Sequence, residues 1–202
     1  DAVSDALDLW DYRRRVHDIY RRVREGGAGE ETWTEWVAAR DALFADHPQS
    51  PIDDREAFFG LSYYEYDPSW RTTGRFMPVD DQMAILDHSA EGSTRFIIIG
   101  TVSFELAGHD WRLEVLWLEA YGGGIFLPFR DGGNGAATYG GGRYLLDTVK
   151  GADLGHEDDQ IILDFNYAYH PSCVHSYRWS CPLAPPANRI EVAVEAGERL
   201  AT

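Results

Sequence analysis

Four residues, His170, Cys173, His175 and Cys181, set imidazole and thiol side chains in the spacing H-x2-C-x-H-x5-C. Soft thiolate with imidazole is what zinc takes, so the segment is a candidate zinc knuckle. The spacing matches no standard zinc module, and the two cysteines are the only ones in the chain. Buried free thiols, or a Cys173–Cys181 disulfide, therefore stand as alternatives, the disulfide being disfavoured in a reducing compartment. The same residues offer a cysteine nucleophile beside His170 or His175, although no oxyanion hole is recognisable.

A second group lies just upstream. Residues 130–147 read RDGGNGAATYGGGRYLLD, a glycine-rich stretch holding Arg130, Asp131, Thr138, Tyr139, Arg143 and Tyr144. Guanidinium forks beside exposed backbone amides suit a carboxylate or phosphate. The competing reading is a tight hairpin held by an Arg130–Asp131 or Arg143–Asp147 ion pair. Neither G-x-x-x-x-G-K-[ST] nor G-x-G-x-x-G in a strand-to-helix setting is present. In LDFNYAYH, an extended strand 160–169 continuing to His170 puts Leu163, Phe165, Tyr167 and Tyr169 on one face and Asp164, Asn166 and His170 on the other. The expected site is a small-molecule pocket between loop and strand. Arg130 and Arg143 hold an anionic group, Tyr139 and Asn166 orient the ligand, and Asp164 is the candidate general base. The rival is a structural or interaction module in which these polar residues form a buried stabilising network.

Composition narrows the partners. The net charge is −16, from 34 acidic against 18 basic residues, and Lys150 is the only lysine. Such a surface repels phosphate backbones, which argues against nucleic acid. It suits molar salt, where the Debye length falls to about 3 Å and self-repulsion ceases to be costly. No apolar run approaches the ~20 residues of a membrane helix, and no basic-then-apolar leader opens the chain. A soluble, cytoplasmic, halophilic protein is expected.

The elements that must position these groups are legible by periodicity. Leu9, Tyr12, Val16, Ile19, Tyr20 and Val23 stripe one face of a helix over 5–25. Thr32-Trp33-Thr34-Glu35 is a capping-box pattern opening a second helix, which His47-Pro48 closes. A short helical turn is expected over 53–59. Strands follow at 62–66, 71–79, 82–88, 94–106, 111–117, 125–129, 143–149, 160–169 and 190–194. Phe96, Ile98, Val102, Phe104 and Leu106 are expected on one face, and a four-residue Ala-Gly-His-Asp turn makes a hairpin with the next strand. The fold class is α+β, mostly β: two N-terminal helices over 1–59, packed on a largely antiparallel sheet over 60–202 that curls into a barrel or sandwich.

Five blocks in order carry a resemblance: Leu127-Pro128-Phe129-Arg130-Asp131; Thr138-Tyr139-Gly140-Gly141-Gly142-Arg143-Tyr144; Leu163-Asp164-Phe165-Asn166; Pro171-x-Cys173; and Cys181-Pro182-Leu183-x-Pro185-Pro186-x-Asn188-Arg189. Over residues 63–199 the chain resembles the bacterial and archaeal domain of unknown function 1684. The resemblance brings no activity. It implies that loop, strand and cysteine pair gather in one place. The family pattern has Asn at the position of His170 and no fixed His at that of His175. That departure implies a structural cysteine pair rather than a zinc site through the histidines.

Overall fold

The computed structural model describes residues 2–201. Helix α1 (Ala2–Gly26) buries Ile19, Tyr20 and Val23, the lower part of its apolar stripe, while Val3, Leu7 and Trp10 remain exposed. Helix α2 (Glu30–Asp46) is entered through Gly29 at φ 149°, with no side-chain cap. Thr32 therefore sits inside the first turn instead of capping it. Glu30 and Glu31 in that turn suit the positive end of the helix dipole. Residues 53–59 form bends and a turn, not a helix.

Seven strands make one sheet: β1 (Arg71–Asp87), β2 (Ser93–Leu106), β3 (His109–Leu118), β4 (Ile125–Phe129), β5 (Arg143–Asp147), β6 (His156–Glu157) and β7 (Gln160–Asp164). Their order is β5-β4-β3-β2-β1-β7-β6, with every pairing antiparallel. The sheet is open, so the expected barrel is corrected, and with all seven strands in one sheet so is the sandwich. Segments 71–79 and 82–88 are one strand, interrupted by an irregularity between Pro78 and Gln82. Segment 62–66 contributes a single bridge, Tyr63 to Glu198, and 190–194 is no strand.

A bulge corrects the expected alternation in β2. Ile98 pairs with Leu116 but Gly100 pairs with Val115, so Ile99 is an extra residue. Phe96 and Ile98 are thereby turned to the opposite face from Val102, Phe104 and Leu106. Phe96 joins a small cluster with Leu86, Leu116, Phe126 and Tyr144. Val102, Phe104 and Leu106 join the main core, which takes in Ile19, Tyr20 and Val23 of α1 and Trp36 and Leu43 of α2. Both sheet faces are thus covered. The hairpin turn is two residues long, not four: Ala107 and Gly108 both have positive φ, and Leu106 pairs with His109.

Candidate functional site

The strand that was to carry Asp164, Asn166 and His170 on one face stops at Asp164. The Asp164 carboxylate accepts from the Asn166 amide N–H at 3.1 Å and from its side-chain Nδ2 at 2.9 Å. This caps a 3-10 turn, Phe165–Tyr167, and breaks the period-two alternation. Asn166 is consumed structurally: it also brackets the Asp67 backbone, accepting from N at 3.1 Å and donating to O at 2.9 Å. Past the turn, Tyr169 and Tyr144 of β5 exchange backbone hydrogen bonds at 2.9 and 3.0 Å. The downstream segment is so carried to the far edge of the sheet, beside the glycine-rich loop.

That loop is a scaffold with few free valences. Arg143 and Asp131, 0% and 1% exposed, form an ion pair at 3.0 Å. The Arg143 guanidinium also donates to the carbonyls of Ala196, Glu198 at 3.1 Å and Val194 at 2.8 Å, and lies over the Phe129 ring. It is thus spent on the C-terminal segment and cannot meet a ligand. Asn134 donates to the buried Thr138 hydroxyl at 2.9 Å and to the Tyr139 carbonyl at 3.0 Å, closing the loop on itself. At Gly142, φ 97°, the loop backbone runs so close to β4 that a Cβ would lie 2.5 Å from the Phe129 carbonyl oxygen. Tyr144 is buried and donates its hydroxyl to the Pro182 carbonyl at 2.5 Å. Arg130 donates Nε to the Ala184 carbonyl at 2.9 Å and keeps part of its guanidinium at the surface.

The electrostatic centre is a residue that no motif or spacing singles out. Glu198, 1% exposed, accepts from Arg40 Nη2 at 2.7 Å and from the His170 amide at 3.1 Å. His170 Nδ1 lies 3.4 Å and His175 Nε2 3.2 Å from the same carboxylate. Burial pushes this carboxyl up. Hydrogen bonds from His170 and His175, with the Arg40 charge, outweigh it and hold Glu198 well below the usual carboxylate range. Arg40 in turn packs against the rings of Trp36, Phe44 and Tyr169. His170 Nε2 accepts from the Tyr139 amide at 3.2 Å, which leaves its ring proton on Nδ1, toward Glu198. A buried acid among 33 others carries no periodicity. The local hint is Gly197, at φ 72°, where a Cβ would meet the Ala168 carbonyl at 2.4 Å.

Two clefts receive the remaining candidates. Tyr139, Cys173 and His175, with Ser89, Val174 and Trp179, line one of about 530 Å³. The Cys173 thiol takes hydrogen bonds from the Cys181, Ser89 and Tyr139 side chains, which together lower it to about 6. Its partner, the buried Cys181, is pushed up by that hydrogen bond and by burial. Tyr139 is pushed up by burial and by the adjacent Cys173, with Arg130 pulling the other way. His175 lines the same cleft and donates Nε2–H to Glu198 at 3.2 Å. Asp164 lines a different cleft, of about 380 Å³, with Arg24, Arg71, His156 and Tyr167. Burial pushes its carboxyl up, against the hydrogen bonds from Asn166.

The expected site is thus divided: Tyr139, Cys173, Cys181 and His175 meet, while Asp164 is elsewhere and Arg143 is interior. Nor do the four zinc candidates converge. His170 and His175 turn to Glu198, and the two thiols, both free, turn to one another. Among the described residues no three His, Cys, Asp or Glu side chains are placed to hold a metal ion.

Residues 56–199 match the family described as protein of unknown function (DUF1684), and the chain belongs to it. It is similar to an uncharacterised protein of Haloarcula marismortui whose structure was solved by NMR in solution. The two are 36% identical, with a TM-score of 0.63, over 85% of this chain and 94% of that one. No curated protein matches the chain.

Two stability outcomes follow. Arg143→Ala leaves Asp131 buried and three carbonyls unpaired, and is expected to cost about 3–5 kcal/mol in urea unfolding. A loss under ~1 kcal/mol would show the pair to be dispensable. Glu198 has a depressed folded-state pKa, so its contribution is complete above the ordinary glutamate range near ~4.3 and is lost as pH falls below it. Between neutral pH and pH ~3 the wild type should therefore lose more stability than Glu198→Gln. Parallel acid limbs would contradict the ionised assignment.

Proposed function

We propose that the protein binds a small organic molecule in the cleft of Tyr139, Cys173, His175 and Trp179. The glycine-rich loop acts as the scaffold of that cleft. The observation that carries this reading is an unpaired polar group on a residue of the cleft wall. Trp179 Nε1 is buried with no partner among the described residues, and Trp179 lines the cleft together with His175, whose Nε2 faces Glu198. A buried unpaired donor calls for an explanation, and at a cleft wall an acceptor from outside the chain supplies one. The volume, about 530 Å³, lies within the range of ligand pockets, ~300–1,000 Å³. A ligand with an acceptor for the indole N–H fits this wall, and Arg130 is the cation left nearby for an anionic group.

A structural role for the glycine-rich stretch itself is favoured by the buried Arg143–Asp131 pair. The two readings divide the residues between them: the network holds the loop, and the loop presents Tyr139.

Ligand-observed NMR with a fragment library tests the cleft. Hits are expected for the wild type and should vanish in Val174→Trp, which fills the space. A library with no hits, or hits indifferent to the block, would remove the reading.

We further propose that the acidic surface is an adaptation to molar salt and that the protein is cytoplasmic. The free thiols support a reducing compartment, and no helix among the described residues is long and apolar enough to cross a membrane. Raising KCl from ~0.1 to ~1 M shortens the Debye length from about 10 to about 3 Å and should raise Tm. A flat or falling Tm would argue for an ordinary acidic protein.

A further inference from the structure

The cleft holds more chemistry than recognition requires. Cys173 is half-buried in its wall, on the 3-10 turn Ser172–Val174. Cys181 is buried behind it, within hydrogen-bond reach of the Cys173 sulfur. Cys181 is also fixed: its carbonyl accepts from the Ser89 amide at 2.9 Å, and its amide donates to Ser89 Oγ at 3.2 Å. The neighbours of Ser89 and Cys181 add to the anchor, since His88 and Pro182 form a β-bridge. One thiol is thus open to the cleft while the other is held behind it.

The surroundings of the outer sulfur favour an anion. Ser89 and Tyr139 line the cleft with Cys173, and Ser89 is bonded to the Cys181 backbone, so two hydroxyls and a second thiol gather around the outer sulfur and favour negative charge on it. The acid on the same cleft, Asp53, is occupied by Arg178 at 3.1 Å. A thiolate so placed is a nucleophile that solvent-borne electrophiles can reach.

We propose that Cys173 and Cys181 form a dithiol that reduces hydroperoxides, Cys173 attacking the peroxide and Cys181 resolving the product into an intramolecular disulfide. In the first step the Cys173 sulfur, its proton surrendered, attacks the terminal peroxide oxygen of ROOH. The O–O bond breaks, and the leaving alkoxide takes that proton and departs as ROH. Cys173 is left as a sulfenic acid. In the second step the Cys181 sulfur attacks the Cys173 sulfur. The S–S bond forms, the S–O bond breaks, and hydroxide leaves with the Cys181 proton as water. Two thiols are oxidised and one hydroperoxide is reduced to alcohol and water.

The inference deepens the cleft reading by naming a substrate class, and it rests on that reading only for the room an organic hydroperoxide needs. The full-length protein, reduced and freed of reductant, is treated with tert-butyl hydroperoxide and, separately, with hydrogen peroxide. Intact mass and peptide mapping follow. The wild type should lose two hydrogens and yield a Cys173–Cys181 cross-link, faster than free cysteine reacts. Cys181→Ser should instead accumulate one oxygen on Cys173, trapped by dimedone, and Cys173→Ser should stay unoxidised over the same time. Tyr139→Phe, which keeps the ring and removes one donor to the sulfur, should react several-fold more slowly. Primary oxidation at Cys181, disulfides between chains, or a rate no greater than that of free cysteine would each overturn the proposal. Reaction with hydrogen peroxide but not the organic peroxide, together with an empty fragment screen, would leave the dithiol standing and sink the ligand cleft. Fragment hits on an inert Cys173 would do the reverse.

Discussion

One fully buried cation organises the β5 edge of the molecule. Arg143 opens β5, and its charge must be met where water cannot reach. Asp131, from the other side of the glycine-rich loop, supplies the counter-charge, and carbonyls of Val194, Ala196 and Glu198 accept from the two terminal guanidinium nitrogens. Alternate residues of the C-terminal segment are thereby aligned on one guanidinium. A segment with no strand of its own acquires a defined position.

The position of that segment decides where Glu198 lies, and Glu198 decides much else. It ties Arg40 of α2 to His170 and His175, so helix, C-terminal segment and cysteine-bearing stretch meet at one carboxylate. Through the His170 ring the same network reaches the Tyr139 amide. The cleft is consequently built by side chains that never line it. Its floor and walls come from a chain of buried polar contacts, each of which has a partner to lose.

Much of this was legible in the sequence. The α1 stripe, both helices, the β2–β3 hairpin and the antiparallel, mostly β class follow from periodicity and turn residues. The gathering of loop and cysteine pair follows from ordered blocks. Other features were hidden for identifiable reasons. The bulge at Ile99 leaves the apolar alternation of β2 intact on paper while reversing the face in space. Asp164 looks like a strand residue but its carboxylate caps the turn that ends the strand. Arg143 and Asn166 have the composition of ligand-binding residues, and what distinguishes a buried structural arginine from a binding one is three carbonyls some fifty residues away. Glu198 could not be told from the other acids, because a charge is made central by its partners and not by its neighbours in sequence.

The Arg40–Glu198 contact spans 158 residues. The N-terminal helices leave the ribosome long before the carboxylate that neutralises Arg40 exists, and β5 emerges before the carbonyls that satisfy Arg143. Until residue 198 is synthesised, Arg40 lacks its buried counter-charge and Arg143 lacks a carbonyl acceptor. The helices can form early, but the final packing of both onto the sheet is a late event of high contact order. A chain stalled short of that point would keep this edge of its core open, with its glycine-rich loop unanchored.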